Sequence, residues 1–420
     1  MRILFNITFS AILLIGLVGF WALFLNLWKP KKKWPAWVGY IIIIGAWFAA
    51  IRYYILNQVD LYGTMYYPLM NMFRTESYGF LFGVFLAIPV FIILSLLYWT
   101  INKIWSKTPE ENRTGRRAFF RTAATIVPLA TIGGSSYAAF AGQQEVVVTH
   151  ESFGYTNLPP GLKNYKIVQL SDIHIGPSID LDDFDEILKL ALLQKPNRVV
   201  ITGDLIDKLA WLPQVCERLT TFAKQIPDGV DFILGNHEYH HDVNKVLDAL
   251  KRNTPMNILV NSNIQIMGGK QPVYIAGVAY DNDRKKDNRE AMINKALSGI
   301  PDYAFVILLA HHPEFFEESI ERKIPLTLSG HTHGGQIVFM GMPLVPTGTP
   351  YTKGRYVEEQ SVCYVNNGTG HWFPIRINCP REITVITFFD GVAKPIQPMQ
   401  TQTTQPQPAP VAQEPVQTVN

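Results

Sequence analysis

The chain has 420 residues with a formal net charge of +3, a length that suits two or three domains and a charge too small to imply a nucleic-acid partner. All ten histidines, from His150 to His371, and all three cysteines, Cys216, Cys363 and Cys379, follow residue 149, so metal-binding chemistry is excluded from the first third. No CxxC spacing occurs, which excludes a zinc knot or disulfide framework; free buried thiols are expected, with a Cys363–Cys379 bridge as the alternative.

Residues 3–28, 34–56 and 79–101 are each apolar all round and long enough to span a bilayer, with Trp and Tyr crowding their ends. A fourth run, Thr122 to Gly142, is weaker because it is rich in Ala, Gly and Thr and contains Pro128. Lys29, Lys31, Lys32 and Lys33 follow the first run, and Lys103, Lys107, Arg113, Arg116, Arg117 and Arg121 precede the fourth. The loop between the second and third carries only Arg74, with Asp60 and Glu76. By the positive-inside rule both basic loops face the cytoplasm. A multi-pass protein of the cytoplasmic membrane is expected, with membrane lipid as a partner and everything after residue 142 extracytoplasmic. The stretch Gly115 to Arg121 (GRRAFFR) also resembles a twin-arginine export signal, in which case AlaPheAla at 139–141 would be a cleavage site.

The expected division is a membrane region over 1–145 with three or four transmembrane helices, a catalytic domain over 150–393, and a Pro- and Gln-rich disordered tail over 394–420. In the middle part, short apolar runs predict strands over 166–170, 198–202, 231–234, 273–278, 304–309, 325–328, 361–365 and 382–388. Helical periodicity marks 181–193 and 243–250. An α/β domain of layered sheets follows.

What comes after each strand carries the chemistry. The first runs into Asp172 and His174, the second into Gly203 and Asp204, and the third into Gly235, Asn236, His237 and Glu238. The strand over 304–309 ends at His311 and His312, and the next at Gly330, His331, Thr332 and His333. Carboxylates and imidazoles gathered on loops at one sheet edge suit two divalent ions roughly 3.5–4 Å apart that clamp a phosphoryl group.

The ordered set AspIleHis, GlyAspLeuIleAsp, GlyAsnHisGlu, His311 and GlyHisThrHis resembles the signature of calcineurin-like metallophosphoesterases over about residues 165–390. SDIHIG, SGHTHGGQI, YVNNGTG and PREITVITF are similar to the bacterial branch with membrane or twin-arginine segments. The resemblance implies a β-sandwich of two mixed sheets flanked by helices. It implies Asp172, His174 and His333 on a first metal, Asn236, His311 and His331 on a second, and Asp204 as the bridge. His237 would protonate the leaving group, oriented by Asp207, and Glu238 would support the site from outside the ligand set.

The adjacent His312 is the variable residue of the family pattern. His240 and His241 extend the Asn236 loop, His371 follows the AsnGlyThrGly turn, and Arg376 and Arg381 are candidate phosphate contacts. The cofactors expected are two divalent ions, Mn, Fe or Zn. The expected activity is hydrolysis of a phosphomonoester, phosphodiester or pyrophosphate link by a two-metal-activated hydroxide, on a phosphoester that includes lipid-linked and envelope substrates. The alternative is a non-catalytic, membrane-tethered metal-binding scaffold.

Overall fold

The computed structural model describes residues 60–104, 110–141, 146–280, 285–344, 347–371 and 375–391, with a few positions between 14 and 48. The first two apolar runs lie largely, and the 394–420 tail wholly, outside the described residues. Helix α1, Tyr67–Ile104, has 38 residues and contains the third apolar run; among the described residues it is the one helix long and apolar enough to cross a membrane. Helix α2, Glu110–Ala141, contains the fourth run as far as Ala141.

The two helices pack closely along their length, and small residues explain how. Ser135 Oγ donates to the Gly79 carbonyl at 2.8 Å, and a Cβ at Gly79 would stand 2.5 Å from Ser136 Cα. Gly83 meets Ile132 and Ser135 in the same way. The GlyXXXGly pair on α1 therefore seats α2 backbone to backbone, and the composition that weakens the apolarity of 122–142 is what permits this contact.

Among the described residues, fourteen strands follow: β1 (Val146–Tyr155), β2 (Ile167–Leu170), β3 (Arg198–Thr202), β4 (Val230–Ile233), β5 (Asn257–Ile258), β6 (Ser262–Met267), β7 (Val273–Gly277), β8 (Phe305–Leu309), β9 (Leu326–Ser329), β10 (Val338–Phe339), β11 (Met342–Pro343), β12 (Gly354–Glu358), β13 (Ser361–Val365) and β14 (Arg381–Asp390). One mixed sheet has the order β1-β14-β2-β3-β4-β5 and the other β12-β13-β9-β8-β7-β6, with β10 and β11 forming a separate hairpin. All eight sequence-predicted strands are present within a residue or two. The strands that the periodicity does not reveal are β1, β5, β6, β12 and the hairpin. Strand β1 begins at Val146, four residues ahead of the expected domain start at 150, and pairs in parallel with β14 over its whole length. Its partial burial, with only Phe153 fully inside, leaves no clean alternation to read.

Between the sheets lies a core that includes Ile167, Val200, Ile233, Ile275, Ile307, Leu328 and Ile386. On the outer face of the first sheet sit α3 (Leu181–Leu193), α4 (Leu212–Ala223) and, past the short α5 (Asn236–His241), α6 (Val243–Asn253); α7 (Lys286–Leu297) and α8 (Phe315–Glu321) cover the second. Strands β2, β3 and β4 are buried on both faces, which is why they read as unbroken apolar runs. Asp180 caps α3 by accepting from the backbone of Asp182 and Asp183. The three cysteines are free and buried.

Candidate metal centre

The loops after β2, β3, β4, β8 and β9 meet at the carboxyl edges of both sheets. To aim their side chains at one point, Asp172, His174, Asp204, His331 and His333 all take left-handed backbone, with φ of 51°, 55°, 53°, 69° and 49°. This region is unfavourable for residues other than Gly, though Asp and His tolerate it better than most, and such strain collects at functional sites. Two glycines make room for the convergence. Gly203, at φ 89°, leaves space for the His311 ring and Gly235, and a side chain at Gly235 would strike the Asp204 carboxylate.

Two groups of donor atoms result. In the first, His174 Nε2 stands 3.0 Å from His333 Nε2, which lies 3.4 Å from Asp172 Oδ1. In the second, Asn236 Oδ1 stands 3.0 Å from His311 Nε2 and 2.9 Å from His331 Nδ1. Asp204 Oδ2 sits between the groups, 3.2 Å from His311 Nε2 and 3.6 Å from His174 Nε2. Asp172, His174 and His333 form one cluster able to hold a cation, and Asp204, His311 and His331 another.

The donors fit divalent ions on their own chemistry. Two ring nitrogens 3.0 Å apart require a shared proton or a cation between them. Hard carboxylate and amide oxygens combined with imidazoles are a set that Mn, Fe or Zn accepts. His311 Nδ1 lies 2.8 Å from the Thr202 carbonyl, which fixes the tautomer and leaves Nε2 to face the centre.

The electrostatics follow from burial and proximity. Burial pushes the Asp172 carboxyl up. Burial also works against the charged forms of Asp204 and Asp207, yet His311 and His237 hold Asp204 well below the carboxylate range, and His174 and His237 do the same for Asp207. Against the same opposition, Asp204 carries His311 up to about 10, and Asp204 with Asp207 carries His237 up to about 9. Burial, then the charges of His174 and Arg376, keeps His333 neutral, the form that ligates metals.

His237 lies outside these two groups, although with His174 and Asp207 it forms a third cluster able to hold a cation. Its backbone N–H donates to Asp204 Oδ1 at 2.8 Å, its Nδ1 lies 2.6 Å from Asp207 Oδ1, and 22% of its side chain is exposed, against 1% for His174 and His311. Asp207 thus meets His237 as expected, and it also reaches His174 Nδ1 at 3.3 Å and His241 Nε2 at 3.4 Å.

Glu238 does more than the sequence suggests. Its buried carboxylate accepts from the backbone N–H groups of Asp204 (3.0 Å), Leu205 (2.7 Å) and Gly235 (2.7 Å), clamping the β3 loop to the β4 loop. A Glu three residues after a glycine that opens a short helix is a capping-box pattern, and that signal could have identified the clamp.

The structure uses the remaining candidates differently. His312 stacks on Tyr280 and His331 and joins neither ligand group, so His311 is the inward member of the pair. His240 is exposed, and His371 is fully buried. Arg376 turns inward: its Nη2 donates to the carbonyls of Gly370 and Asn367 and reaches His333 Nδ1 at 3.1 Å. Arg381 is likewise buried, with Nε donating to the Thr369 carbonyl. Both arginines thus brace the 367–370 loop from within the protein.

Residues 165–335 match the family model described as calcineurin-like phosphoesterase. An uncharacterized metallophosphoesterase of Campylobacter jejuni is 30% identical over 353 residues, 82% of this chain and 87% of that one. The uncharacterized metallophosphoesterase YkuE of Bacillus subtilis is 30% identical over 61% of this chain and 90% of its own length. A Danio rerio protein named for a transmembrane region and a metallophosphoesterase domain is 28% identical, covering 72% of this chain and 71% of that one.

Proposed function

We propose, for a chain that belongs to the calcineurin-like metallophosphoesterases, that it hydrolyses phosphoesters at a dinuclear site held by Asp172, His174, Asp204, Asn236, His311, His331 and His333. The observation that carries this reading is the position of Asp204, one of whose oxygens stands between the two donor groups as a bridging ligand must. When bound, the two ions supply positive charge to the phosphoryl oxygens and activate water for in-line attack.

The side chains do the rest. Asp207 takes the Nδ1 side of His237 and leaves Nε2 facing outward to protonate the leaving oxygen. Glu238 and the left-handed ligand backbones pre-set the geometry, so little reorganisation is needed when the ester binds. A non-catalytic scaffold would have no use for the His237–Asp207 pair.

Incubation of the detergent-purified full chain with Mn and bis-p-nitrophenyl phosphate should give turnover. Asp204→Ala should lower it by about a thousandfold and reduce bound metal measured by plasma mass spectrometry. No turnover in the parent protein would sink the enzymatic reading.

The membrane reading is also a proposal. The domain-side ends of α1 and α2 lie together, and the domain holds the segment before α1: Tyr62 Oη donates to Asp182 at 2.9 Å, and Asp60 pairs with Lys208 at 2.9 Å. The catalytic domain then shares a side of the bilayer with residues 60–66, part of the sparsely basic loop, which supports an extracytoplasmic site facing lipid-linked or envelope phosphoesters. Ala139, inside the AlaPheAla sequence, is fully buried with Ile337 and Ile375, which favours a permanent span over a cleaved signal. A reporter enzyme fused after residue 150 should be active only outside the cytoplasm.

A further inference from the structure

The exposed apolar surface of the phosphoesterase domain is concentrated in one place. Among the described residues from 146 onward, eight large hydrophobic side chains are exposed, and four of them, Phe339 (59%), Met340 (83%), Met342 (66%) and Leu344 (62%), lie on the β10–β11 hairpin. Residues 337–352 include no charged residue. Four exposed apolar side chains clustered in an uncharged stretch are unusual in a loop.

The root of the hairpin is fixed to both the metal loop and the membrane helices. It leaves the His331–His333 loop through Gly335, whose φ of 78° and lack of a side chain admit Pro343 against it. Val338 N–H donates to the Ile377 carbonyl at 2.9 Å, and Leu344 N–H to the Ile337 carbonyl at 2.8 Å. Ile337 and Ile375 are buried with Ala138 and Ala139 of α2, with Phe82 of α1 packed alongside. Phe82 lies one turn into the apolar run that starts at Gly79, so the root stands where the apolar part of the helix pair begins. Tyr137 (74% exposed) and Phe140, near the same end of α2, are aromatic residues of the kind that mark a membrane interface.

We propose that the β10–β11 hairpin is seated in the boundary between headgroups and acyl chains of the bilayer, with phospholipid covering Phe339, Met340, Met342 and Leu344. Continuity with α1 and α2 selects lipid over a protein partner, because the hairpin root already packs on the helices that would cross that bilayer. The seat gives the domain a separate attachment beside the loop that carries His331 and His333, so a phosphoester on a membrane amphiphile is presented at the level of the site. The inference rests on the anchored reading proposed above.

The test places a bimane label, one position at a time, on M340C, F85C and Y303C in the full chain, reconstituted in nanodiscs of phosphatidylcholine and phosphatidylglycerol. The native cysteines are buried. Phe85 is an exposed position within α1 and Tyr303 an exposed position in the domain, so they serve as lipid and water references. Doxyl-labelled lipid should roughly halve the emission at 340 and 85 and leave 303 unchanged, and iodide should do the reverse. Quenching at 85 with position 340 as open to iodide as 303 overturns the hairpin seat alone. Shielding of 340 from both quenchers means that protein, such as a second copy of the chain, covers it, and also overturns the proposal. No lipid quenching at 85 removes the anchored reading and the hairpin seat together.

Discussion

The candidate metal centre and the junction between helices α1 and α2 and the domain hold together in opposite ways. At the centre, five strand-end loops are bound to one another by charged and backbone hydrogen bonds, and single residues such as Glu238 and Asp207 serve several partners each. At the junction, shape does most of the work: Gly79 and Gly83 admit the backbone of α2, Ile337 and Ile375 cover Ala139, and a few polar ties such as Tyr67 Oη to Asp180 at 2.8 Å set the register. Removing one atom group at the centre therefore breaks several loops at once, whereas the junction yields one contact at a time.

Substitutions can break or sharpen that contrast. Glu238→Gln removes the charge that three backbone N–H groups share and sets an amide donor among them. It should lower kcat by about 10- to 100-fold and weaken metal binding, both measured against the parent in the same detergent. If activity is unchanged, the loops hold their places without the clamp, and the contrast fails at its strongest point.

Gly79→Leu should separate α1 from α2 at a cost of about 1–3 kcal/mol, read as a lower unfolding midpoint in detergent, with hydrolysis of a soluble ester retained. Equal loss of activity and stability would mean that the junction and the centre are one cooperative unit. Smallest of all, Tyr67→Phe deletes a single hydrogen bond to Asp180. It should cost about 0.5–1.5 kcal/mol, measured by the same unfolding midpoint.

The same contrast explains what was legible in the sequence. The buried central strands read as unbroken apolar runs, and each hands a candidate ligand to a loop within a few residues, so Asp172, His174, Asp204, Asn236, His311, His331 and His333 stand out as short motifs. The Asp207–His237 contact was expected only from the family resemblance, and the two side chains do meet at 2.6 Å. The junction instead assembles residues 60–82, 135–139, 177–182, 337 and 375–377, and no local pattern links them. Arg74 shows the difficulty: read as a lone loop charge, it lies buried in α1 with Nη1 donating to the Pro177 carbonyl at 2.7 Å. Strand β1 was missed for a related reason, because its partner is the last strand of the sheet and its half-buried face shows no alternation.

That last pairing sets an order of assembly. Val146 follows the end of α2 closely in sequence, yet its partner Arg381 is synthesised about 235 residues later. The strand next to α2 must wait for nearly the whole domain to be made before its edge is closed. Until then β1 is an unpaired edge tethered to α2, and a chain truncated before β14 would present that edge to its neighbours.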